Sequence, residues 1–330
     1  MIDVTGGFIG STSDRSFPDA NGNFREATGD AGSVSVFADS LTFSGRSGIA
    51  AATVGVGEGG NVLVRVNGAL DMSENSFIAA STGGSGNAGS LDLSAGSILL
   101  SDSAAITSGT GGAGFAGDIR VSANNISLSD DARITSRTVE GSTGEAGRVN
   151  VEVAGDLSIA DAATIAATTA SSGDAGVVRV AAGRLAMSGG SIDSSTSASG
   201  DAGDVLVMAS NAQLSGDARI NSSALRGSTG NAGNVQVDVT GVLGLSDLAA
   251  ITAATLSSGA AGFVRVNAGT LVMTGGAIAS SSDGEGNAGD VEINADLIRL
   301  LGESRVNSAA LSGSTGRAGR VTITSSGLVE

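Results

Sequence analysis

Apolar and polar residues alternate along most of the chain in short runs that recur in a fixed order. Residues 114–138, GFAGDIRVSANNISLSDDARITSRT, show one unit. Ile119 and Val121 mark a first alternating segment, Ile126 and Leu128 a second, and Ile134 opens a third that runs to Thr138. A period of two puts every second side chain on one face, which predicts short strands with one buried side. None of the segments carries the 3.6-residue period of a helix. Such short segments bury too little surface to stand alone, so three per unit predict one coil of a parallel β-helix, each coil stacked on the last.

The pattern typified by GNAGDV (286–291) occurs eleven times, from Gly29, Gly57, Gly86, Gly114, Gly144, Gly173, Gly200, Gly230, Gly259, Gly286 and Gly316, at spacings of 27 to 30 residues. A recurrence of this length filling the whole chain is the signature of a solenoid. Within the pattern, glycine permits the positive backbone angles of a tight corner, and Val291 begins a first strand. Alignment of the units stacks Ile49, Ile78, Ile106, Ile134, Ile165, Ile192, Ile220, Ile251, Ile278 and Val306. A column of β-branched residues suits a strand core. Four residues further on lies a second column, mostly Thr or Ser, from Thr53 to Ser282. Stacked at about 4.8 Å, the eleven coils predict a rod of roughly 50 Å.

Gly114, Gly200 and Gly286 lie 86 residues apart, so three coils form a larger repeat. DARITSRTVEGSTGEAGRV (131–149) matches DARINSSALRGSTGNAGNV (217–235), as duplication of three coils together would produce. The long coils gain two residues after the third segment, in TVEGSTG, ALRGSTG and ALSGSTG. Loops on one edge of a rigid scaffold are where contacts accumulate, which singles out Glu140, Arg226 and Ser312. Residues 2–11 align with 271–280, so the chain opens in the second segment of a coil, follows it with a 15-residue loop from Asp14 to Thr28, and ends as another second segment starts at Leu328. No capping element is visible at either end. Solenoids require caps, so residues 1–330 are expected to be one continuous repeat domain that is either a segment of a longer polypeptide or a truncated gene product.

Composition narrows the chemistry. The chain has no His, Cys, Tyr or Trp, and all 17 basic residues are arginine. The usual imidazole, thiolate, phenol and amine catalysts are therefore missing, as are the ordinary ligands of zinc. A net charge of −16 with eight Phe as the only aromatics disfavours nucleic acid. No run approaches the roughly 18 apolar residues of a membrane span, and the first residues lack the basic and apolar regions of a signal peptide.

The combination of GNAGDV, an alternating strand, LSGDARINSS and GSTGNAG resembles the repeat region of filamentous-haemagglutinin-like exoproteins of two-partner secretion, many of them cyanobacterial. The resemblance covers essentially the whole chain. It implies a right-handed parallel β-helix, a hand also expected from the rule for parallel crossovers. It further implies passage through an outer-membrane transporter and a secreted or cell-surface location, with contact to a host or neighbouring cell surface or a polysaccharide. The expected role is a non-catalytic structural or adhesive rod without a cofactor.

Three other readings attach to particular residues. The second position of the glycine pattern is often acidic or amide (Asp30, Asn87, Glu145, Asp174, Asp201, Asn231, Asn287), a column able to collect Ca²⁺, although Phe115, Ala260 and Arg317 interrupt it. Asp102, Asp130, Asp131 and Asp161 form the densest predicted acidic patch, a candidate for glycan hydrolysis or binding, with Arg133 close enough to neutralise it. Threonines in the third segment suggest an ice-binding face. With Ile134 inward, however, Ser136 and Thr138 are inward too, leaving Thr135 outward. The glycine pattern lacks the lysine of a phosphate-binding loop.

Overall fold

The protein is described by a computed structural model over residues 1–13, 28–311 and 314–327. Every strand pairing is parallel, and each strand pairs with the equivalent strands of the coils before and after it. The chain is thus a parallel β-helix with a single hydrophobic core inside the coils. The isoleucine ladder forms as predicted: Ile106 pairs with Ile134, Ile134 with Ile165 and Ile165 with Ile192, each fully buried. It extends one coil further at the N-terminal end, where Ile9 pairs with Ile49, and Ile2 pairs with Leu41 as a second segment should. Each such side chain contributes about 1.5–3 kcal/mol by leaving water.

The three strand segments expected of a coil are present, and in the first full coil they are the separate strands Val34–Ala38, Leu41–Ser44 and Gly48–Thr53. In the coils that follow, the first and second segments run together as one strand, as in Ile119–Leu128 and Val178–Ser188, and in Val235–Thr255 and Val264–Ser282 the third segment joins them. The inter-coil ladder passes through the bend between the first and second segments: Ala123 still pairs with Ala95, and Asn125 with Ser97. Hydrogen bonding runs between coils and does not require a straight strand.

The motif glycines also have a different cause from the one expected. None of them lies in the left-handed region. Instead they stack glycine on glycine. A Cβ on Gly86, Gly114 or Gly144 would come closer than 3.0 Å to the carbonyl oxygen of the motif glycine one coil earlier, and the same holds for Gly89, Gly117 and Gly147. Between these columns a backbone ladder continues, with Ala116 N–H donating to the Glu145 carbonyl (2.9 Å) and Ala146 N–H to that of Asp174 (2.8 Å).

A buried serine column ties this glycine corner to the third strand. Ser108 Oγ accepts from Gly117 N–H (2.8 Å) and reaches the Gly89 carbonyl at 3.0 Å. Ser136 does the same with Gly147 and Gly117, and Ser194 with Gly203 and Gly176. Two residues further on, the buried threonines end the strand. Thr110 Oγ1 accepts from Gly112 N–H at 3.2 Å, and Thr169 Oγ1 from Ser171 N–H at 3.2 Å. The inward hydroxyls of these two columns are thereby paired, as burial demands.

Candidate functional site

The acidic column at the second motif position has a structural use. Asp174 Oδ1 accepts from Asp201 N–H (2.8 Å), Asp201 Oδ1 from Asn231 N–H (2.7 Å), and Asn231 Oδ1 from Ala260 N–H (2.8 Å). The fifth motif position repeats the device, with Asp118 Oδ1 accepting from Arg148 N–H (2.7 Å) and Asp204 Oδ1 from Asn234 N–H (2.7 Å). These oxygens extend the inter-coil ladder around the corner. Among the described residues no three carboxylates converge as metal ligands do.

The patch formed by Asp102, Asp130, Asp131 and Asp161 sits on a tight turn between the second and third segments. Asp130 and Asp131 have φ of 53° and 60°, and Ala132 N–H closes the turn onto the Ser129 carbonyl at 3.0 Å. Two consecutive positive angles with this bond define a type I′ turn, and Asp tolerates the left-handed region better than most residues. Asp102 (49°) and Asp161 (50°) occupy the same turn position one coil away on either side. Ser103 N–H donates to the Asp130 carbonyl (2.7 Å) and Asp131 N–H to that of Asp161 (3.1 Å). All four carboxylates are exposed. Arg133 forms no ion pair with them, contrary to the expected neutralisation.

The loops after the third strand are ordered turns. Gly141 (φ 83°) and Gly227 (φ 88°) take the third position of a type II turn, which requires a positive angle. Ser142 Oγ and Ser228 Oγ donate back to the carbonyls of Val139 (2.6 Å) and Leu225 (2.7 Å). Glu140 projects exposed from the first turn. Arg226 spans two coils to Asp283 at 3.5 Å and remains 80 % exposed, so screening leaves this pair a small energetic weight. Ser312 lies outside the described residues. The structure therefore does not gather Glu140 and Arg226 into one site.

The outward face of the third strands carries what sequence reasoning passed over. Asp193 on this face accepts from Ser195 Oγ (2.9 Å) and Asn221 Nδ2 (2.6 Å). Burial pushes its carboxyl up to about 6, against the lowering effect of both hydrogen bonds. Its only sequence signal is an acid at an outward position, in SIDSST. Two coils nearer the N-terminal end, Arg133 and Arg137 project from the same face beside a depression.

No protein-family model, curated protein or solved structure matches the chain.

Proposed function

We propose that this segment serves as a rigid spacer or display rod within a larger secreted or surface-attached protein of the haemagglutinin-like exoprotein kind. The observation that supports this reading is the recurrence of the ladders among the described residues: core side chains, corner glycines and backbone hydrogen bonds repeat from coil to coil. Such a scaffold transmits length and stiffness along one axis. Its acidic charge keeps the rod soluble. The positive backbone angles at Asp102, Asp130, Asp131 and Asp161 account for the acidic turn as backbone geometry, in keeping with a structural role.

Two measurements test the role. A fluorescent reporter fused beyond this segment on a surface-anchored fusion should stand about 50 Å further from the surface than one fused without it. A broad, collapsed distance distribution would refute the spacer. Antibody raised to the segment should label intact producing cells or their washings, and signal confined to lysed cells would refute display.

A further inference from the structure

Each third strand contributes three outward positions to a flat face. On the strand Arg133–Thr138 they are Arg133, Thr135 and Arg137. Four other described arginines (Arg65, Arg120, Arg226, Arg265) hold carboxylates, but neither Arg133 nor Arg137 has a side-chain partner. Both flank a depression of about 550 Å³, within the range of small-ligand sites. Its floor comes from the preceding strand, where Thr107 pairs with Thr135 and Gly109 with Arg137. Phe77, one coil further back in the Arg133 column, forms the opposite wall. The acids of the neighbouring turn, Asp102, Asp130 and Asp131, do not line it.

The larger repeat supplies an internal comparison. One 86-residue step further along, the places of Thr107, Gly109, Thr135 and Arg137 are taken by Asp193, Ser195, Asn221 and Ser223. There the polar groups satisfy one another, with Ser195 and Asn221 both donating to Asp193. The polar positions of the second copy are thus bonded to one another, whereas in the first two guanidinia border the recess without a side-chain partner.

We propose that the depression between Phe77 and the pair Arg133 and Arg137 binds a carboxylate-bearing saccharide. Guanidinium groups match carboxylates in charge and in bidentate geometry. The hydroxyls of Ser81, Thr107 and Thr135 suit the hydroxyl groups of a sugar, and the Phe77 ring offers an apolar wall to a ring face. On a chain of net charge −16, this recess favours an anion where most of the surface repels one. The inference goes beyond the rod's mechanical role and does not depend on where the rod is displayed.

The test is calorimetric titration of the full chain with trigalacturonic acid. Binding is expected, weakening as salt rises. Arg133→Ala with Arg137→Ala should weaken it at least tenfold, as should Thr107→Phe, which fills the floor and keeps both charges. Arg219→Ala, in the Arg133 column one larger repeat away, should leave binding unchanged, and maltotriose should not bind. The circular dichroism of each variant should match that of the parent chain. Absence of binding to the parent chain, undiminished binding in the folded double arginine variant, equal loss on Arg219→Ala, or equal affinity for maltotriose would each overturn the proposal.

Discussion

At the residue scale the glycines divide into two kinds with different consequences. Gly144 sits under the carbonyl of Gly114, and a methyl group there has nowhere to go, because both atoms belong to backbone. Gly141 has open space around its Cβ position but a φ of 83°. Gly144→Ala is therefore expected to destabilise by at least about 3 kcal/mol, in the manner of overpacking. Gly141→Ala should cost about 1–2 kcal/mol for the left-handed backbone alone. Urea melts of the two variants check this, and equal losses would show that the stacked glycines are not crowded. The sequence made the glycine columns visible but not their cause, since positive angles and close approach select the same residue.

Asp193 supplies a second residue-scale prediction. Burial raises its carboxyl to about 6, above the ordinary carboxylate range, so the folded chain binds the proton more tightly than the unfolded chain. Its contribution to stability is thus fully present below pH ~4 and is lost as pH rises toward 6, on the order of 1–3 kcal/mol. Carboxyl-carbon NMR should find an Asp193 midpoint near 6, and Asp193→Asn should flatten the fall of stability between pH 4 and 7. An unchanged slope would remove burial as the cause. This perturbation was not legible in the sequence, because the alternation that marks Asp193 as outward says nothing of how closely its neighbours cover it.

At the level of strands and turns, each departure from the 28-residue spacing has its own location. The 29-residue coils carry an extra residue in the bend, where Val153 to Leu157 faces Ala123 to Ile126 and the register shifts. The 27-residue coils shorten the turn before the third strand, and Gly189 and Gly190 then take φ of 84° and 71°. The 30-residue coils insert the type II turn at Gly141 or Gly227. The loop insertion was legible as spacing, whereas the bend residue was hidden within a stretch that reads as two separate strands. The acidic columns belong to this scale as well: their oxygens accept backbone N–H groups of the next coil, as Asp201 does from Asn231. Millimolar Ca²⁺ is accordingly expected to leave the melting temperature unchanged within a degree, by differential scanning calorimetry, since a ligand stabilises only as far as it binds the folded state. An upward shift of several degrees would restore the calcium reading.

For the whole molecule, stability and shape follow from nearest-neighbour stacking. A coil contacts the coil before and the coil after, and the core runs through the stacked coils as one cluster up to the terminal strand Val321–Ser325, whose apolar side chains are exposed. Energies in such arrays are close to sums over units and interfaces, so removing a complete larger repeat should shorten the rod and leave its cross-section intact. The most direct test is small-angle X-ray scattering of the chain lacking residues 200–285, which joins Ser199 to Gly286 in phase. Three coils stacked at about 4.8 Å predict a rod shorter by roughly 14 Å, with an unchanged cross-sectional radius of gyration. A changed cross-section, or loss of the folded state on this in-phase deletion, would contradict the stacked-coil account.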